Sequence, residues 1–416
     1  MLLEFSVQNY RSIREMQTLS FIASPVKAKY PKLDISNIID YEEQLKVLKS
    51  IAIYGANGSG KSNIVKALSD MLSLVEDSMI NETLVRRIFF DKFNLNADTL
   101  SEPVFFQLQF VLDNKKFRYG FEINNSVVTA EWLYGPALKK EVYYFKREFN
   151  KISINKKHFT EAIDIPKGKT SETNLFLNVS VAYNGKVSKK IKNYLTNKIL
   201  IDHGLSDSNF RLKTSEMLNQ DESKKQILEL LNIADFGIND IYEETIVRNI
   251  QREDVTHLPL KILKSSRNIF NNEGDIVGNR IMWMTQDESD GTNKMYNYSG
   301  AIIDSLLNGK ALVLDEFDAR LHPILAKRIV EMFNSPKLNV KNSQLLFMTH
   351  DTHLLDNSLL RRDQIYFTEK NTKGETYIYS LADINGVRND ASYEKDYIKG
   401  KYGGIPFVGD FETLFE

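Results

Sequence analysis

The sequence predicts an α/β fold: a mixed central sheet with crossover helices, an antiparallel β-subdomain and an inserted helical subdomain. Three observations predict it. Ile51-Ala52-Ile53-Tyr54 suits a buried strand and runs into a glycine-rich loop, then an amphipathic helix. A second apolar run, Lys310 to Leu314, ends in Asp315 and Glu316 and is followed by a helix and a third apolar strand, Gln344 to Thr349. Between these halves, Pro103 to Phe149 breaks into short β-runs separated by turns, the pattern of an antiparallel meander. The expected division is a core with the glycine-rich loop over 1–90, a β-subdomain over 91–150, a helical insertion over 151–280 and a second core segment over 281–416.

Composition sets the bounds. With 416 residues the chain can bury a large core. Its 54 Lys and Arg nearly balance 55 Asp and Glu, so net charge does not mark a nucleic-acid binder. The absence of cysteine excludes disulfides, thiolate zinc sites and a cysteine nucleophile. No long apolar run is present, and MLLEFSVQNYRS carries charge too early for a signal peptide. A soluble cytoplasmic protein without a membrane partner is expected.

Taken in order, Leu3, Phe5 and Val7 alternate with Glu4, Ser6 and Gln8, a strand with one buried face. Asn9-Tyr10-Arg11-Ser12-Ile13 leaves it for a second strand, Met16 to Ile22. Next, Gly55-Ala56-Asn57-Gly58-Ser59-Gly60-Lys61-Ser62 fits G-x-x-x-x-G-K-[ST] at every position, with Asn63 following. Glycines let successive N–H groups turn toward phosphate oxygens, Lys61 reaches the β- and γ-phosphates, and the Ser62 hydroxyl takes one position on Mg²⁺. Ile64, Val65, Leu68, Met71, Leu72, Val75 and Met79 then recur at helical spacing.

The stretch 103–112, a turn at Asp113-Asn114 and 116–123 read as a hairpin, continued by 127–132 and 141–149. Residues 171–231 are mostly helical by pattern, with Asp221 as a helix cap. The lysines between Lys186 and Lys198 suit a solvated helix face, the alternative being a DNA or partner surface. Ile281 to Met284 suits a strand, and a helix is expected from Met295 to Leu307. At the tip of the next strand, Asp315 is expected to hold Mg²⁺ and Glu316 to act as general base toward the attacking water. Phe317 to Pro323 closes into a helix over 324–333, and His350 sits at the tip of the following strand. His353 lacks further ligands at zinc spacing. Gln364 to Ser380 reads as a hairpin through Asn371-Thr372-Lys373-Gly374, followed by a charged helix and the tail Lys399 to Phe407.

These motifs together resemble the ABC-type P-loop ATPases of the SMC, RecF and OLD-nuclease group. The Asn9 to Ser12 turn is similar to that group's N-[FY]-[RK]-[SG] turn, which implies a phosphate or adenine contact for Arg11. Glu288-Ser289-Asp290-Gly291-Thr292 resembles its Ser-x-Gly signature, departing from the L-S-G-G-Q of transporters; the resemblance implies that Ser289 and Gly291 meet the nucleotide of an opposite subunit. Leu321-His322-Pro323 is similar to the D-loop of OLD-like members, and His350 matches the switch histidine. The tail resembles stand-alone ATPases of phage-defence operons, the RloA- and AriA-like group. The implied protein binds ATP and Mg²⁺ and forms a homodimer or a higher homo-oligomer built from dimers. It would regulate a separately encoded nuclease or toxin in anti-phage defence. The alternative is a RecF- or SMC-like ATPase in contact with DNA. A Toprim domain does not fit after His350 and no H-N-H cluster is present, so a nuclease in the same chain is not expected.

Overall fold

The computed structural model describes residues 1–42, 45–79, 83–137, 140–166, 168–203, 208–234, 236–247 and 259–406. Phe407, the last residue of the tail motif, lies outside them. In chain order, β1 (Leu2–Gln8) and β2 (Gln17–Ser20) pair antiparallel. A short helix α1 (Leu33–Ser36) and the hairpin β3 (Ile38–Glu42) and β4 (Leu45–Leu48) lead to β5 (Ser50–Gly55), buried at every position. Then come α2 (Lys61–Asp77) and α3 (Thr83–Phe90). The meander is β6 (Val104–Leu112), β7 (Lys115–Asn124), β8 (Val127–Ala137), β9 (Lys140–Glu148) and β10 (Lys151–Ile154).

After α4 (Phe176–Ala182) and α5 (Lys186–Asn197) a short strand β11 (Ile199–Asp202) precedes α6 (Ser208–Met217) and α7 (Asp221–Ile233). β12 (Asp240–Val247), β13 (Pro259–Phe270) and β14 (Ile276–Trp283) form a separate antiparallel sheet. One turn of helix, α8 (Met284–Asp287), leads into α9 (Asp290–Asn308), then β15 (Ala311–Leu314), α10 (Pro323–Asn334) and β16 (Gln344–Met348). The hairpin β17 (Ile365–Lys370) and β18 (Thr376–Ser380) and a last helix α11 (Tyr393–Ile398) complete the chain.

The central sheet has the order β11-β15-β16-β5-β17-β18, parallel except for β18. Its inner strands β15, β16 and β5 are buried at every position because both faces are covered. Ile51, Ile53, Leu346 and Met348 face one core with Leu68 and Met71 of α2 and Phe106 and Phe110 of β6. Ala52, Tyr54, Leu345 and Phe347 face the other, with Met295 and Ile302 of α9 and Ile329 and Phe333 of α10. Thus α2 is sandwiched between the parallel sheet and the seven-stranded antiparallel one, β10-β9-β8-β7-β6-β1-β2.

Two features differ from the segment boundaries drawn on sequence. β1 and β2 belong to the antiparallel sheet, with Phe5 opposite Leu108, since alternation reveals a strand without naming its partner. The stretch 151–280 is not helical alone: β11 joins the central sheet, Leu200 opposite Leu312, and β12 to β14 stand apart. A four-residue apolar run abutting a helix carries no period of its own, so β11 is hidden in the sequence.

Candidate functional site

β5, an interior strand, delivers the glycine-rich loop to the C-terminal end of the parallel strands. Gly58 (φ 75°) and Gly60 (φ 106°) adopt left-handed backbone conformations that favour glycine. α2 starts at Lys61 with no side chain capping it, so its first N–H groups present the positive end of a 17-residue helix to whatever the loop encloses. Lys61 is buried, its Nζ donating to the carbonyls of Gly55 at 2.7 Å and Ala56 at 3.1 Å. Burial pulls its pKa down to about 8, against the opposing pull of Asp315, Asp318 and Glu316.

Register brings the other half of the site alongside. β15 and β16 run parallel to β5, Leu314 opposite Phe347 and Met348 opposite Ile53, so Asp315, Glu316 and His350 leave their strands at the same end of the sheet as the loop and line one pocket with it. Asp315 is buried, whereas Glu316 is exposed with φ 48°. That bend is fixed by Phe317 N–H donating to the Met348 carbonyl at 2.9 Å and by the Phe317 ring on Phe347, 5.0 Å between centroids. His350 N–H donates to Asp318 Oδ1 at 3.2 Å. Partial desolvation and the charge of Lys61 lower the His350 pKa, which keeps the imidazole neutral near pH 7. Residues 57–63, Asp315, Glu316, Met348, His350 and Lys370 line one pocket of about 270 Å³. A neighbouring pocket of about 450 Å³ shares residues 57–59 and Lys370 and adds Ala56, Thr368, Glu369, Asn371, Tyr377, Gly404 and Ile405.

The remaining expected residues fall elsewhere. Gly55 lies beneath the loop, where a Cβ would stand 2.3 Å from Thr368 Oγ1. Arg11 lines neither pocket: its guanidinium pairs with Asp91 at 3.0 Å and its Nε donates to the Tyr10 hydroxyl at 3.3 Å. Ser289 caps α9, accepting from Thr292 N–H at 3.1 Å. Gly291 packs on the Arg320 carbonyl, 3.0 Å from where its Cβ would be. Neither Ser289 nor Gly291 lines the pocket around Lys61. Glu288 anchors this helix start through a two-pronged bond to Arg267 (2.9 and 2.6 Å) and one from Ser265 (2.7 Å).

Sequence reading missed the hydroxyls that hold the loop from outside. Asn63 Nδ2 donates to Ser12 Oγ at 2.7 Å. Thr376 Oγ1 donates to the Ser59 carbonyl at 2.8 Å and stands 2.8 Å from Ser12 Oγ. Ser59 Oγ and Thr368 Oγ1 are hydrogen-bonded at 2.7 Å. Thus the turn after β1 serves the loop through Ser12, next to the residue singled out. Of the five lysines between Lys186 and Lys198, Lys190 pairs with Asp113 at 2.5 Å, Lys192 and Lys198 donate to the carbonyls of Glu76 at 2.9 Å and Asn308 at 2.6 Å, and Lys186 and Lys189 are exposed. Among the described residues, no cluster of three or more acidic or histidine side chains suits a metal ion, and no helix is long and apolar enough to cross a membrane.

A family described as "AAA domain, putative AbiEii toxin, Type IV TA system" matches residues 50–356. No curated protein matches the chain. Similar solved structures include the SMC head domain from Thermotoga maritima, 14% identical, covering 91% of this chain and 98% of that one, with a TM-score of 0.42. Another is the SmcHead bound to the C-winged helix domain of ScpA, 13% identical, covering 91% and 97%, with a TM-score of 0.43.

Proposed function

Because the chain belongs to this AAA-domain family of P-loop ATPases, we propose that it hydrolyses ATP with Mg²⁺ at the pocket between β5, β15 and β16. The observation that carries the reading is the convergence of Lys61, Ser62, Asp315, Glu316 and His350 around one pocket. The loop amides and Lys61 bind the phosphates. The Ser62 hydroxyl and the Asp315 carboxylate are hard oxygen donors, a set that fits Mg²⁺ when phosphate oxygens and water complete its shell. Bound there, the ion neutralises charge on the phosphates. Glu316, exposed at the strand tip, takes the proton of the attacking water, and neutral His350 donates a hydrogen bond toward the terminal phosphate.

One head leaves the signature unused, since Ser289 and Gly291 lie off the pocket that Lys61 lines. Two heads closing on ATP would bring the N-terminus of α9 to the partner's phosphates. Such a dimer has to pass its closure to something else, and the resemblance of the tail supports a separately encoded effector in anti-phage defence. ATP turnover by the purified protein tests the first claim: Glu316→Gln should keep nucleotide binding and stop hydrolysis. A Glu316→Gln protein as fast as wild type would refute the assignment.

A further inference from the structure

Lys370 ends β17 and lines both pockets at the phosphate loop. It is exposed and, among the described residues, forms no ion pair. Its backbone position relative to the loop is set by the hairpin that carries it. Thr368 holds Ser59 Oγ, Thr376 holds the Ser59 carbonyl, and Thr376 N–H donates to the Ser12 carbonyl at 2.7 Å. The preceding carboxylate, Glu369, leaves β17 on the opposite face, as successive strand residues do, and accepts from Gly404 N–H at 2.6 Å. The tail is shaped for that contact. Gly403 and Gly404 both take left-handed backbone (φ 70° and 66°), and a Cβ on Gly403 would stand 2.1 Å from Glu369 Oε1. Tyr379 and Tyr397 fasten the tail by donating to the carbonyls of Tyr402 at 2.8 Å and Gly404 at 2.9 Å.

The charge of the pocket needs such a cation. Asp315 and Glu316 line it with Lys61 and Lys370, and a nucleoside triphosphate adds several further negative charges beside them. We propose that Lys370 is a second phosphate-binding cation, reaching the triphosphate from the side opposite the acidic pair. This rests on the reading of the pocket as the ATP site.

The test is equilibrium titration of wild type, Lys370→Met and Lys370→Arg with fluorescent ATP and AMP analogues, alongside thermal melting. Lys370→Met should melt like wild type, since the residue is exposed. It should weaken ATP binding roughly ten- to a hundredfold, the scale of a lost charge-assisted contact, and AMP binding far less. Lys370→Arg should restore most of the loss. ATP affinity unchanged in Lys370→Met, with wild type binding normally, would overturn the role of Lys370 alone. Wild type that binds no ATP would overturn the ATP site and this proposal together.

Discussion

Replacing Thr376 by valine removes one hydroxyl and nearly conserves shape, so its effect isolates the hydrogen bonds that brace the phosphate loop. Thr376 is 1% exposed. The variant strands the Ser59 carbonyl, which loses its 2.8 Å donor, and takes from Ser12 Oγ a neighbour at 2.8 Å. Leaving a buried acceptor unsatisfied costs about 1–3 kcal/mol. If the loop relieves that cost by shifting, ATP must restore the ordered form, and affinity falls by the same free energy, roughly five- to a hundredfold. Melting should move by only a few degrees, because the loss is small against the enthalpy of so large a chain. Thr376→Ser retains the oxygen and should bind almost as wild type does. Isothermal titration with ATP, paired with melting curves, reads both quantities. A Thr376→Val protein binding ATP within twofold of wild type would refute the claim that this hydroxyl shapes the loop.

Further outcomes concern the same site. Lys61→Ala should abolish measurable ATP binding, as seen by titration, by removing the buried cation of the loop. Mixing Lys61→Ala with Gly291→Asp should restore ATPase activity that neither has alone, because a mixed dimer keeps one complete composite site; a silent mixture with proven subunit exchange would exclude engagement across the dimer. With the Lys61 pKa lowered to about 8, ATP affinity should fall as pH rises through 8, by at most tenfold per unit. The free protein shows the opposite sign: the unfolded chain holds the Lys61 proton above pH 8 and the folded one does not, so this group adds stability as pH rises toward the ordinary lysine range. Finally, the product of an adjacent gene should co-purify with the chain in an ATP-dependent way, and the pair should lower phage plating; tight binding to gapped duplex DNA with rescue of repair would favour the RecF-like alternative.

What could be read from sequence was whatever is local. The loop from Gly55 to Ser62, the strand ending in Asp315 and Glu316, and the strand before His350 each announce themselves within a few neighbouring residues, because a buried parallel strand must be apolar and its tip must carry the chemistry. The residues that were missed act at a distance. Ser12 meets Thr376 across 364 positions, and a lone serine or threonine has no pattern to betray such a contact. Arg11 illustrates the converse: the turn was recognisable, but Asp91, which claims its side chain, lies beyond a helix whose packing no spacing rule foretells. The tail showed no pattern in sequence because its contacts run through backbone groups, the Gly404 N–H and the carbonyls of Tyr402 and Gly404.

The order of strands in the central sheet constrains how this protein is born. β5 hydrogen-bonds only to β16 and β17, both of which are translated after more than two-thirds of the chain. While a ribosome makes the intervening segments, the apolar strand that leads into the phosphate loop has no native partner on either edge. Such an unpaired hydrophobic strand invites association with other chains, and its topology of distant pairings makes for slow folding. The nascent polypeptide is therefore a natural client for chaperones, and a truncated product ending before β16 would hold the loop sequence without a sheet to mount it on. A phosphate loop mounted this way gains its partner strands only once residues 344–370 have been made.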